Sequence, residues 1–147
     1  MPSTLLVAVD FDEASRRAVD LAKSLAAPLG ASIVLLHVYH VPVYTYPSLD
    51  PAILPGFHAE LTAAARASLV EFAKAAGVQD AVLREGDPAP EILAEARERG
   101  AVMIVMGTHG RRGIAHALLG SVAEQIIRRS PVPVVTVRGG AEPSAAG

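Results

Sequence analysis

Five short apolar runs recur along the chain, at Leu5–Val9, Ser32–Tyr39, Asp80–Arg84, Val102–Met106 and Val132–Val137, with longer stretches of helical periodicity between them. This alternation is the feature that most constrains the fold. Successive strands separated by helices pair in parallel, because a parallel neighbour can be reached only by a crossover of a dozen or more residues. Most of the runs are continuously apolar rather than alternating, as in strands covered on both faces. The chain is therefore expected to be α/β, a mainly parallel open sheet with helices on both faces.

The helical stretches carry their own boundaries. Asp12 is placed to cap a first helix, which sets Ala14, Ala18, Leu21, Ala22 and Leu25 on one face and ends at Gly30. A second helix is expected over Phe57–Ala76, burying Phe57, Leu61, Ala65, Leu69 and Phe72, and is closed by Gly77. The third lies between Asp87-Pro88 and Gly100, the arrangement of a capped start and a left-handed stop. Ser121–Arg129 makes the fourth.

With 147 residues and 51% apolar side chains, one domain of this kind can build its core without staples. It is expected to span residues 1–138, with 139–147 as a flexible Gly/Ala/Ser/Pro tail. No internal repeat is visible. Val41–Gly56, with four prolines and two tyrosines, is longer than a strand-to-helix turn requires, and two readings stand: a surface loop, or a lid over a ligand.

Several function classes fall away. There is no cysteine, which removes thiolate catalysis, disulfides, Cys-ligated zinc and iron–sulfur clusters. The 13 basic and 15 acidic residues give a net charge of −2, and only the pairs Arg111-Arg112 and Arg128-Arg129 concentrate positive charge, so no nucleic-acid partner is expected. The opening Met1-Pro2-Ser3-Thr4 lacks a basic region and its apolar run stops at Asp10, too short for a secretory leader. No run approaches the ~20 apolar residues that cross a bilayer. The expected location is cytoplasmic, with no membrane partner.

Parallel α/β sheets bind ligands at the carboxyl ends of their strands, where the winding reverses. Two expected strand ends carry suitable chemistry: the first delivers Asp10, the fourth Gly107-Thr108-His109-Gly110. Gly107 and Gly110 leave backbone N–H groups free to turn inward as an anion-binding nest. Gly120-Ser121 opens the last helix, whose N–H groups and positive dipole end suit a phosphate, with the Ser121 hydroxyl as a further donor. Together these features describe a polyphosphate site. A P-loop is excluded, since no lysine follows Gly120 and the chain's lysines are Lys23 and Lys74. A Rossmann fingerprint is absent too, because the first turn reads Asp10-Phe11-Asp12-Glu13.

Other polar residues have plainer readings. His109 and His116 fall in the glycine loop, where a solvent-exposed histidine is the commoner case and a phosphate donor the alternative. His37, in an apolar strand, is expected to be a hydrogen-bonded core histidine rather than a ligand, and no spacing suggests a dedicated metal site. Arg111 and Arg112 either neutralise a terminal phosphate or solvate the loop.

Val102–Val137, with Gly107, Gly110, Gly120 and Ser121 in the spacing G-x2-G-x9-G-[ST], resembles the carboxyl half of the ATP-binding branch of the universal stress protein family. Leu5–Ala18 and the Gly86-Asp87-Pro88-Ala89 turn are similar to that family as well. The resemblance implies a five-stranded parallel sheet of order 3-2-1-4-5 and ATP as ligand, with Mg²⁺ held mainly by phosphates and water. It implies that Asp10 and the Val38 backbone contact adenine, that Ala8 and Val9 line its side, and that Met106 packs near it. Gly107 would approach the ribose. Gly110, Gly120, Ser121 and Val122 would hold phosphates; Arg111, by its charge and not by the resemblance, is a further candidate contact. Asp12 and Val102 depart from the family, which often has serine or threonine at the first position and aspartate at the second.

Three functions follow: a nucleotide-dependent regulatory or stress-response protein, a slow ATPase, or an interaction protein without nucleotide. Phosphoryl transfer needs a positioned nucleophile and charge stabilisation, and the chain offers arginines but no evident base. The complete glycine motif speaks against loss of the nucleotide. Val132–Val137 reads as an edge strand, since Pro131 and Pro133 are tolerated only at strand starts and edges, and a homodimer through it is expected.

Overall fold

A computed structural model describes residues 3–40, 54–108 and 119–139. In chain order these form β1 (Ser3–Ala8), α1 (Glu13–Leu29), β2 (Ala31–Tyr39), α2 (Leu54–Ala76), β3 (Asp80–Glu85), α3 (Pro88–Arg99), β4 (Met103–Gly107), α4 (Ser121–Arg129) and β5 (Val134–Val137). The five strands make one sheet of order β3-β2-β1-β4-β5, every pair parallel. The α/β expectation and the strand order both hold.

Alternation along each strand divides the core into two layers. Leu5, Val7, Leu35 and Val105 face α1 and α2, where they meet Ala18, Val19, Ala22, Leu69 and Phe72. Leu6, Val34, Leu36, Ile104 and Met106 face α3 and α4, against Ile92, Leu93, Ala96, Ala123 and Ile126. The middles of β1, β2 and β4 are buried, each fully buried large apolar side chain contributing about 1.5–3 kcal/mol by leaving water. Small alanines on α1 let that helix lie close to the sheet.

The helix boundaries follow the chemistry read from the sequence. Asp12 caps α1, its side chain accepting from the Ser15 N–H at 2.8 Å, and Gly30 stops it in the left-handed region at φ 62°. Gly100 stops α3 in the same way at φ 63°. β1 to β4 differ from expectation by one or two residues at an end, and two further shifts have a cause in proline. α2 begins at Leu54 rather than Phe57, because Pro55 sits in the first turn, where its missing N–H has no helical partner to lose. β5 begins at Val134 rather than Val132, since Pro133 cannot donate to the ladder, although its carbonyl still accepts from the Ile104 N–H at 3.0 Å. The stripe on α2 is graded: Leu69 and Phe72 are buried, while Phe57, Leu61 and Ala65 are half-buried. Of the expected Val41–Gly56 loop, residues 41–53 lie outside the described residues, as does the expected tail from 140 onward.

The winding reverses between β1 and β4. From β1 the chain steps through α1 and α2 toward β3, then crosses through α3 to β4 on the other side of β1. The carboxyl ends of these two strands therefore open onto the crevice where open α/β sheets bind ligands.

Candidate functional site at the carboxyl ends of β1 and β4

β1 and β4 reach the crevice in register, with Ala8 beside Met106. Past the strand the β1 side stays fixed by backbone bonds: the Val9 N–H donates to Leu36 O at 2.9 Å and the Asp10 N–H to Ser15 Oγ at 2.7 Å. Phe11 follows with φ 63°, the only non-glycine residue at positive φ among the described residues. A bulky residue in that region is strained by about 1–3 kcal/mol and persists only where its surroundings hold it. Here two rings do so, His37 at a centroid distance of 4.3 Å and Phe72 at 5.7 Å. His37 is in turn fixed by donating from Nδ1 to Val9 O at 2.8 Å. It is hydrogen-bonded, as the sequence reading expects, but half-buried at the strand end rather than in the core.

On the β4 side, Thr108 donates its N–H to Val137 O at 2.9 Å, and Gly120 donates its N–H to Thr108 O at 2.6 Å. The second bond closes the connection at its base. It sets the end of β4 against the first turn of α4, although the two are separated by a dozen residues in sequence. Gly120 is the N-cap of α4, with extended backbone at φ −75° and ψ 163°. Having no side chain, it supplies no cap to the N–H groups of the first turn, which suits them to an anionic ligand. Glu124 in that turn is the one unfavourable charge, and it pairs with Arg128 at 3.2 Å.

The site residues expected from sequence divide as follows. Ala8, Val38, Met106 and Val122 pack in the same layer, on the α3 and α4 side of the sheet. Val9 belongs to the opposite layer, packed with Phe72 and Val105, so its side chain turns away from those four. Asp10, Gly107 and Gly120 are half-buried at the crevice and Ser121 is exposed. Gly110 and Arg111, with Arg112, His109 and His116, lie outside the described residues.

Ser15 and Phe11 escaped the sequence reading. The available signal for Ser15 was a hydroxyl three residues after the Asp12 cap, on a face otherwise made of alanine and valine.

A second polar cluster lies at the carboxyl end of β2 and β3. Tyr39 Oη and Thr62 Oγ1 are 2.7 Å apart and His58 Nε2 lies 2.8 Å from Glu85 Oε1, tying α2 to the sheet. The His58 contact holds the Glu85 carboxyl below the usual carboxylate range. A third cluster centres on Arg84, bonded to Glu91 at 2.7 Å and to Glu95 at 2.7 Å, with Glu98 at 3.3 Å and Arg99 closing onto Glu95. A hollow of about 500 Å³ lined by Lys23, Ser32, Gly77 and Asp80 lies at the opposite, amino end of the strands.

The model of the Universal stress protein family matches residues 1–138, and the chain belongs to that family. It is 33% identical to the universal stress protein YxiE of Bacillus subtilis, across 94% of this chain and all of that one. It is 34% identical to a universal stress protein of Thermus aquaticus over the same shares. Among solved structures, MJ0577 of Methanocaldococcus jannaschii superposes with a TM-score of 0.80 at 26% identity, covering 97% of this chain and 99% of that one. A universal stress protein in complex with cAMP superposes with a TM-score of 0.60 at 30% identity, covering 93% and 97%. No helix among the described residues is long and apolar enough to cross a membrane.

Proposed function

We propose that this universal stress protein binds ATP in the crevice between β1 and β4 and acts as a nucleotide-dependent regulatory protein of the cytoplasm. The observation that carries the reading is the Gly120 N–H to Thr108 O bond, which brings a glycine-rich strand end and an uncapped helix start to one place. A triphosphate needs several converging N–H donors, and these two elements supply them without a P-loop lysine. The cAMP complex of a relative adds support for an adenine nucleotide.

In this reading Asp10 and the Val38 backbone meet the adenine, whose amino group is a donor that a carboxylate accepts. Ala8, Val9 and Met106 border the base and Gly107 approaches the ribose. Gly110, Gly120, Ser121 and Val122 hold the phosphates, with Arg111 beside them. Mg²⁺ would enter with the phosphates, held mainly by their oxygens and by water. A homodimer through the edge strand β5 belongs to the same reading, because the outer edge of Val134–Val137 has no neighbouring strand among the described residues.

The deciding experiment is mass spectrometry of the nucleotide released on denaturing the purified protein, followed by calorimetric titration of the emptied protein with ATP and Mg²⁺. Recovered ATP, or saturable binding lost in Gly110→Val, is the expected result. A protein that carries nothing and binds nothing overturns the reading. For the dimer, a monomer mass by light scattering at micromolar concentration is the contrary outcome.

A further inference from the structure

The β1–α1 turn holds more ordering devices than a helix start requires. Asp12 alone would cap α1, and it does so through the Ser15 N–H. Ser15 then does something a cap does not need. In the reciprocal arrangement, the side chain three residues into the helix returns to the N–H of the capping residue itself. Ser15 Oγ instead reaches two residues further back, to the N–H of Asp10 at 2.7 Å. It can do so because Phe11, at φ 63°, folds the chain back between them. Ser15 is 3% exposed, so the acceptor end of this bond is shielded from water.

The same residue is held from the other side. Val9, one position earlier, gives its carbonyl to His37 and its N–H to Leu36 O, and the His37 ring packs against Phe11 at a tilt of 39°. The backbone on both sides of Asp10 is therefore fixed by side chains from α1 and β2. Asp10 stands two residues beyond Ala8, which pairs with Met106, at the mouth shared with β4.

We propose that Ser15 is a positioning residue of the nucleotide pocket: by holding the Asp10 N–H it sets where the Asp10 carboxylate meets the base, and so contributes to base selection rather than to phosphate binding. The proposal rests on the reading of Asp10 as the adenine contact. Strain at Phe11 has a role in this scheme, since a relaxed turn would carry Asp10 away from the Ser15 hydroxyl.

The test is calorimetric titration of ATP, GTP and inorganic tripolyphosphate into the wild type, Ser15→Ala, Asp10→Ala and the double variant. Ser15→Ala is expected to weaken ATP by about tenfold, the scale of one misplaced hydrogen bond, and to narrow the ATP-to-GTP preference. Tripolyphosphate affinity should not change. In the Asp10→Ala background the Ser15 substitution should have no further effect on ATP, and Ser15→Thr, which keeps the hydroxyl, should recover most of the affinity.

If Asp10→Ala weakens ATP while Ser15→Ala does not, the positioning role is wrong and the reading of Asp10 stands. A full Ser15→Ala effect in the Asp10→Ala background, or an equal loss of tripolyphosphate, marks a merely structural serine. No effect of Asp10→Ala overturns the adenine contact itself. Circular dichroism controls the fold. Should Ser15→Ala not fold, Ser15→Cys keeps the shape with a much weaker acceptor, and amide exchange in the wild type gives an independent reading. An Asp10 N–H that exchanges as fast as an open loop overturns the proposal.

Discussion

The turns that follow β1 and β3 have nearly the same sequence logic and different mechanics. Each leads from a parallel strand into a helix through an aspartate N-cap, Asp12 in one and Asp87 in the other. Asp12 bonds the Ser15 N–H, whereas Asp87 makes no side-chain cap bond and leaves the start of α3 to Pro88. The β1 turn takes its positive φ at Phe11, a residue that resists it, and the β3 turn takes it at Gly86, a residue that does not. Around the β3 turn the charged side chains neutralise one another. Around the β1 turn the contacts fix a backbone position at the crevice. Strain held by packing belongs to the turn that faces the crevice, and the relaxed turn with its ion network serves the fold.

Substitutions at the β3 turn should therefore change stability and leave nucleotide affinity alone. The largest effect is expected at Gly86, where φ is 146° and an added Cβ would meet Glu91 Oε2 at 2.9 Å and Cγ at 3.0 Å. Gly86→Val should cost about 2–3 kcal/mol in urea unfolding from the backbone conformation alone. It would also displace Glu91 from Arg84. A parallel loss of ATP affinity in the folded variant would break the distinction between the two turns.

Next comes Glu95, buried in the network. Burial pushes its carboxyl up, but the bonds from Arg99 and Arg84 outweigh that and hold it below the usual range. A carboxyl with a depressed folded-state pKa stabilises the fold above its unfolded value and loses that contribution as pH falls through the folded one. Glu95→Gln should cost about 1–2 kcal/mol at pH 7, because the amide oxygen can accept from only one of the two arginines and the NH2 group would face the other, donor against donor. The gap to the wild type should persist down to the ordinary glutamate value of about 4.3 and close below it. A gap that stays constant to the acid limit would show that the network contributes by packing and not by charge.

How far the sequence carried is best judged at these same places. The strand order follows from the resemblance, and the parallel layers from continuous apolar runs, because burial on both faces leaves a pattern that needs no tertiary knowledge. Gly30 and Gly100 were legible as left-handed stops since few other residues take that conformation. The closure of Thr108 onto Gly120 was not: the glycine spacing marked both ends as special, but a bond across a dozen residues depends on where the sheet sets them. Phe11 was hidden for the opposite reason. Local preference argues against a positive φ there, and it is overruled by His37 and Phe72, which come from β2 and α2. Ser15 was hidden behind the ordinary reading of a serine in a first helical turn. Val9 packs its side chain in the other layer, so in the proposed pocket it is its backbone that borders the base.

The smallest expected effect separates the two aspartates, and it tests the comparison most directly because the substitution is the same. Asp12→Ala removes the 2.8 Å bond to the Ser15 N–H together with a negative charge at the start of α1, and should cost about 1 kcal/mol. Asp87→Ala has no such bond to lose. What remains is the interaction of its charge with the α3 dipole, about 0.3 kcal/mol where the group is exposed, as Asp87 is. The two variants should therefore differ in urea midpoint at low salt, and added salt should erase most of the Asp87 effect while sparing most of the Asp12 one. Equal losses with equal salt dependence would mean that both aspartates act only as charges. The Asp12 to Ser15 bond would then contribute nothing measurable, and the ordering of the β1 turn would rest on Phe11 and its two aromatic neighbours alone.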